Sequence, residues 1–413
     1  MSERLAINGG PKVRERPYPP WPVLGDEDVE AVAEVMRSGM LTQLTGGAVE
    51  AFEDAFARYH GVSHCVGTSS GTTAIHAALI ALDVGPGDEV IVPAHTFIAS
   101  ATPVLHQGAT PVFADIDERT FCLSPDSVAE RITERTKAIV AVHLNGHPAD
   151  MEPLLALAEP RGIEVLEDAA QAHGAMLGGR GKKGEGRWDG WRKVGTIARM
   201  GCFSFWEDKI ITTGGEGGCV ITNDDGLAER LRRIRHHGEG LDPSIPQGAQ
   251  AGGLAPERAY YHLDLGYNYR MTSMQAATGL VQLRRLDEYL EARRRNAAYL
   301  GERLGEIDGI EPPFVAEGVV HSYYKYIGRL RPETGIPIAE FVQAVAAEGI
   351  PISRRYPTPL PLQPVFRGID SGDCPNAERL AGELFTLLVH PTVGTGDLDD
   401  VVEALRKVSA VSL

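Results

Sequence analysis

Lys209 stands between an apolar run and a glycine cluster, in the stretch Phe203-Ser204-Phe205-Trp206-Glu207-Asp208-Lys209 followed by Ile210-Ile211-Thr212-Thr213-Gly214-Gly215-Glu216-Gly217-Gly218. Glycines let backbone and ligand approach closely there, because no side chain obstructs them. A lysine so placed can capture a carbonyl covalently. The chemistry needs the neutral amine, yet at its ordinary pKa only roughly one lysine in 2,500 is neutral at pH 7. Burial or a neighbouring cation must therefore lower that pKa. Glu207 and Asp208 would act in the opposite sense if they faced the amine, so both are expected to point away from it.

Three further signals accompany this lysine. Thr68-Ser69-Ser70-Gly71-Thr72-Thr73 follows an apolar run and precedes a helical pattern over 74–82. Free amide hydrogens and hydroxyls at a helix start can hold a phosphate, although plain N-capping accounts for the same residues without a ligand. The run Ile163-Glu164-Val165-Leu166-Glu167-Asp168 is an apolar strand ending in an acid. Asp168 could fix the charge of a protonated ring nitrogen, or simply cap the next helix. Phe97, after the strand candidate 89–92, could stack on a ring or belong to the core. A phosphate cradle, a stacking aromatic, an acid for a pyridinium and a lysine for an aldehyde together describe pyridoxal 5′-phosphate (PLP).

These residues need a scaffold that brings distant segments to one edge. From 65 to 223 the chain alternates β-branched runs (89–92, 111–114, 138–142, 163–166, 219–222) with helical patterns. That alternation predicts an α/β fold with a mostly parallel mixed sheet flanked by helices, whose ligands gather at the carboxyl ends of strands. Helical patterns are also predicted over 26–37 and 49–59, and a long amphipathic stretch over 273–304. A strand over 323–330 and helices over 338–348, 376–385 and 398–408 predict a smaller α+β C-terminal domain. The expected division is an N-terminal arm over 1–25, rich in proline and arginine, a large domain over 26–283 and a small domain over 284–413. Two irregular stretches interrupt the order: 180–193, with clustered basic residues, Trp188 and Trp191, and the glycine-rich 238–257.

The formal charge of −16 argues against nucleic acid or an anionic membrane as partner, so any phosphate must meet local donors. Five cysteines without a Cys-x-x-Cys pair offer neither a zinc site nor a disulfide framework, and no metal is expected. The uncharged run 90–113 is broken by Pro93, Pro103, Pro111 and His95, which predicts soluble core rather than a membrane span. The first residues lack the apolar core of a signal peptide, so the cytoplasm is the expected location.

With these residues in view the chain resembles the PLP-dependent aminotransferases of the DegT/StrS type, which act on keto sugars and keto cyclitols. The resemblance covers nearly the whole chain. It rests on Glu167-Asp168-Ala169-Ala170-Gln171-Ala172-His173-Gly174, on Phe203-Ser204-Phe205 with Lys209 and the glycines to Gly218, and on Gly266-Tyr267-Asn268-Tyr269-Arg270-Met271. It implies the aspartate-aminotransferase fold, or fold type I, with Lys209 as the Schiff-base lysine and proton carrier. Asp168 would pair with the ring nitrogen, Gln171 with the ring hydroxyl, and Phe97 would stack on the ring. Ser204 and the Gly71 and Thr72 amides would bind the phosphate. Asn268 would reach the phosphate of a neighbouring subunit, which implies a homodimer with shared sites. The amino donor would be glutamate or glutamine, and the acceptor a keto sugar, nucleotide-linked, or a keto cyclitol.

Two departures bear on the acceptor. The segment 180–193 is longer than the family's short turn, and suits either a partner or substrate contact or a solvated loop. In Ser353-Arg354-Arg355-Tyr356-Pro357, sugar-nucleotide members often carry a histidine before the tyrosine. Arg354 and Arg355 could meet a diphosphate there or equally be exposed charges, while His321, Tyr323 and Tyr324 are candidates for hydroxyl contacts. Two rival functions stay open: a PLP- or sugar-binding regulator or scaffold without turnover, and a PLP-dependent sugar dehydratase. The retained Lys209 speaks against both, since the dehydrating members carry histidine in its place.

Overall fold

The computed structural model describes residues 4–179, 190–240, 261–369 and 372–410. Its central layer is a seven-stranded sheet of His64–Thr68 (β1), Glu89–Pro93 (β2), Thr110–Ala114 (β3), Thr136–Val142 (β4), Glu164–Asp168 (β5), Met200–Ser204 (β6) and Gly218–Thr222 (β7). The spatial order is β1-β7-β6-β5-β4-β2-β3. Only β7 runs antiparallel to its neighbours. β2, β6 and β7 are buried along their whole length, which explains their continuous apolar runs: a sheet covered on both faces has no solvent side to mark with polar residues. Helices cover it, among them Gly71–Ala81, whose apolar side chains join Val66, Ile91 and Phe113 in the largest core.

A second core gathers Tyr326, Phe341, Phe385, Leu398 and Leu405 around an antiparallel sheet in the order Ile310–Glu311, Tyr326–Leu330, Leu384–Leu387, Ser353–Arg354. Leu384–Leu387 corrects the expected helix over 376–385: the helix Pro375–Ala381 stops at Gly382, and the next residues enter the sheet. The stretch 273–304 is likewise two helices, Ser273–Arg284 and Leu286–Leu304. Arg285 between them, at φ −95° and ψ −4°, is the C-cap of the first and the N-cap of the second, and its guanidinium bonds Asp28 at 2.9 Å and Glu27 at 3.0 Å.

The N-terminal arm lies along its own chain. Leu5 is buried in the second core, and the buried Arg14 bonds Asp397 at 2.8 Å and Asp400 at 2.7 Å. Farther on, the Trp21 ring stacks on His390, and its Nε1 donates to the Lys209 carbonyl at 3.1 Å. Most of the 180–193 segment and of the 238–257 loop lies outside the described residues; Trp191–Lys193 is a short strand pairing with Met176–Gly178. All five cysteines are free and buried. Among the described residues no helix is long and apolar enough to cross a membrane, and no group of His, Cys, Asp and Glu could hold a metal ion.

Candidate active site

β1, β2, β5 and β6 all point the same way, so their carboxyl ends meet at one edge of the sheet. The segments leaving those ends line a cavity of about 720 Å³. Gly71, Thr72, Phe97, Asp168, Gln171, Ser204, Lys209 and Arg355, far apart in sequence, all border it. This is where a parallel sheet presents residues to a ligand, because each chain turns outward into a loop there.

Ser70 caps the helix Gly71–Ala81. Its hydroxyl accepts from the Thr73 amide at 3.2 Å, and Thr73 Oγ1 accepts from the Ser70 amide at 3.0 Å. Such a cap contributes about 1 kcal/mol to helix stability. The Gly71 and Thr72 amides come first in the helix, with no helical carbonyl to bond, and face the cavity with the positive end of the helix dipole. A Cβ on Gly71 would stand 2.6 Å from Ser204 Cβ, and one on Gly218 would stand 2.3 Å from the Ser70 carbonyl oxygen. Glycine at both positions lets the helix start and two strand ends close into a cradle of amides and hydroxyls.

Asp168 ends β5, buried at 5 % exposure. Its Oδ2 accepts from Ser100 Oγ at 2.7 Å and its Oδ1 from the Ala170 amide at 3.1 Å. Burial nevertheless pushes the carboxyl pKa above the ordinary aspartate value. The neighbouring Glu167 points to the other side, as alternation along a strand requires, where it accepts from the amides of Gly195, Ile197 and Ala198 and faces His143 Nε2.

Lys209 borders the same cavity, its ammonium 4.6 Å from the centre of the Tyr324 ring. Burial first, and the Arg355 guanidinium second, lower its pKa to about 7, so the amine is substantially neutral near neutral pH. Glu207 is exposed and stays off the cavity wall, as expected. Asp208 differs from the expectation. It lines the cavity and acts to raise the lysine's pKa, but its carboxylate is engaged by Lys325 Nζ at 2.7 Å and by the Tyr324 hydroxyl at 3.3 Å.

Gln171 links the two sides of the site. Its Oε1 accepts from the Asn145 amide at 3.0 Å and from Arg355 Nη2 at 2.9 Å, while its Nε2 donates to the Tyr356 hydroxyl at 2.9 Å. Asn145 and Tyr356 hold left-handed backbone, with φ of 57° and 47°. Non-glycine residues persist there only when their surroundings determine them, and such strain clusters at functional sites.

Three residues expected at the substrate lie off this cavity. Arg354 and Arg355 are neighbours in extended chain, so their side chains leave on opposite faces; Arg355 faces the cavity and Arg354 donates to the Ala381 carbonyl at 3.1 Å. His321 is buried, stacked on Tyr323 at a ring separation of 4.0 Å, and burial holds its pKa well below the usual value. Tyr323 has φ 49°, which turns Tyr324 rather than Tyr323 into the cavity. Asn268 is exposed and outside the cavity of its own chain. Sequence reasoning missed Ser100, Asn145, Lys325 and Tyr356. Only Tyr356 left a local trace, as the tyrosine after the paired arginines.

The sequence of the chain is 39% identical over 388 residues to the GDP-perosamine synthase of Caulobacter vibrioides, covering 94% of this chain and 96% of that protein. It is 40% identical over 376 residues to the L-glutamine:2-deoxy-scyllo-inosose aminotransferase of Streptomyces fradiae, covering 89% and 84%. The fold is similar to that of the putative sugar aminotransferase Spr1654 of Streptococcus pneumoniae in its PLP form, with a TM-score of 0.82 and 28% identity over 96% of this chain and 99% of that one. Residues 22–406 match the model of the DegT/DnrJ/EryC1/StrS aminotransferase family, and the chain belongs to that family.

Proposed function

We propose that this chain transfers the amino group of an amino acid, glutamate or glutamine, to a keto sugar or keto cyclitol, using PLP held at the strand-end cavity. The observation that carries the proposal is the pairing of Lys209, whose pKa is lowered to about 7, with the buried acid Asp168 in one cavity. The relatives' names support the acceptor class, one being a perosamine synthase and the other a cyclitol aminotransferase.

The residues present fit the cofactor. The cradle closed by Gly71, Gly218 and Ser204 would hold its phosphate through the Gly71 and Thr72 amides and the Ser204 hydroxyl. Asp168 would pair with the ring nitrogen, and a cation there would reverse the effect of burial on its carboxyl by favouring the charged form. Gln171 Nε2, with one hydrogen on Tyr356, has a second for the ring hydroxyl, and Phe97 would cover the ring face. When bound, PLP supplies a carbonyl for the amino group and a ring that draws off carbanion charge.

The chain's own groups do the rest. Neutral Lys209 would hold the carbonyl and, once displaced by the substrate amine, would move a proton from the substrate carbon to the cofactor and, with the keto acceptor, in the reverse sense. Arg355 and burial keep that amine neutral enough to accept the proton. Asn268, exposed here, would complete the cradle of a second copy, making the working form a homodimer with shared sites. Free buried cysteines suit the reducing cytoplasm.

The test is a panel of amino sugars and aminocyclitols added to the PLP-loaded protein. Conversion to pyridoxamine phosphate by a member of the panel, matched by mass detection of the keto product, is expected. Release of ammonia or a deoxy product instead would select the dehydratase, and a cofactor band unchanged by every amine would select a non-catalytic binder.

A further inference from the structure

Three cations share the ring of Tyr324. Lys209 Nζ lies 4.6 Å from its centre, Lys325 Nζ 5.2 Å and Arg355 Cζ 5.6 Å. Their partners differ. Lys325 is bound to the Asp208 carboxylate at 2.7 Å, and the Tyr324 hydroxyl also donates to Asp208. Arg355 forms no salt bridge among the described residues; its Nε donates to Asn145 Oδ1 at 2.8 Å and its Nη2 to Gln171 Oε1 at 2.9 Å, both neutral acceptors. Those two bonds fix the guanidinium plane and leave the Nη1 group for a ligand. The remaining charged groups on the cavity wall, Asp168 and Glu216, are both acids.

We propose that the cavity selects a monocarboxylate amino donor, glutamine over glutamate, with Arg355 receiving the α-carboxylate and the Asp208–Lys325 pair refusing a second one. The assignment rests on the amino-transfer reading and adds the donor. Every amino acid brings an α-carboxylate close to its reacting amine, and among the described residues on the cavity wall Arg355 is the fixed guanidinium that forms no salt bridge. Glutamate would bring a second carboxylate into the same cavity, whose wall carries Lys325 and Arg355, both beside the Tyr324 ring. The ammonium of Lys325 is already matched, so that carboxylate would meet Asp208 as a like charge. A carboxamide brings no charge, donates to Asp208 and accepts from Lys325, which suits an ion pair with unused donors and acceptors.

The experiment follows loss of the visible cofactor band in the PLP-loaded protein under single-turnover conditions, with glutamine and with glutamate, at pH 7.5, a condition on the order of the lysine's titration midpoint. Glutamine is expected to react with at least about a tenfold higher apparent second-order rate constant. Asp208→Asn frees Lys325 and should move the glutamate-to-glutamine ratio toward glutamate by about tenfold, whatever it does to both rates together. Lys325→Gln should move the ratio the other way, and Arg355→Gln should weaken both donors while leaving their ratio within about twofold. Equal donors in the wild type, or a ratio that Asp208→Asn does not move, would overturn the assignment and leave the aminotransferase reading standing. A band that neither donor bleaches, in a protein that has bound PLP, would overturn both.

Discussion

Gly71 and Ser204 approach so closely that a single methyl group would not fit between them: a Cβ on residue 71 would lie 2.6 Å from the serine's own Cβ. The helix start and the end of β6 are thereby held as the two walls of the proposed phosphate cradle. Gly71→Ala must push Ser204 away, while the helical backbone at that position tolerates alanine. Expected is a fall in PLP affinity of about tenfold or more, read by equilibrium dialysis, together with a lower melting temperature of the cofactor-free protein, since overpacking so close a contact costs about 1–3 kcal/mol. An unchanged affinity would mean the phosphate sits elsewhere.

On the proposed reading Asp168 pairs with the ring nitrogen, so Asp168→Asn should slow proton transfer by about 10²–10³-fold. Binding should suffer less, because the cradle is untouched. Stopped-flow bleaching of the loaded variant measures the first and spectroscopic titration the second. Normal turnover with cofactor bound would contradict the assignment.

Lys209 gives a pH signature with a definite sign. Its folded pKa, about 7, lies below the 10.5 of the unfolded chain, so between those values the unfolded state holds more protons and stability rises with pH. In the cofactor-free protein this group costs stability in full below pH 7, and the cost is relieved as pH climbs toward 10.5. Lys209→Met should therefore stabilise the cofactor-free protein at pH 6 and give much less at pH 9, in paired denaturant titrations. Arg355→Gln removes a cation and should raise the amine's titration midpoint, followed by the pH dependence of its reaction with an aldehyde.

The arm makes a stability prediction far from the chemistry. Arg14 is buried against Asp397 and Asp400, and removing it empties a buried site and leaves the two acids only the exposed Arg16 as ion-pair partner, at 3.2 and 3.3 Å. Arg14→Ala should cost about 3–5 kcal/mol in urea unfolding. A cost below the ordinary range for exposed ion pairs would mean the arm is not held there in solution.

Much of this site could be read from the chain because its parts are local. Asp168 is the last residue of an apolar strand, Gly71 and Thr72 open a helix after Ser70, and Lys209 lies beside glycines; each signal sits within a few residues of its element. What escaped depends on contacts between distant segments. Ser100 reaches Asp168 across 68 positions and Arg355 reaches Asn145 across 210, separations that leave no periodic trace. The choice of Arg355 over Arg354 needed the direction of one short strand. Leu384 and Phe385, the start of the strand Leu384–Leu387, read as helix because their apolar run continues that of Pro375–Ala381; burial on both faces of a central strand erases the alternation that would mark it.

The account stands or falls on the covalent role of Lys209. Borohydride reduction of the PLP-loaded protein, followed by proteolysis and mass spectrometry, should place a phosphopyridoxyl group on the peptide carrying Lys209, with the label lost in Lys209→Ala. A label on another lysine, or none on a protein that has bound the cofactor, would contradict it.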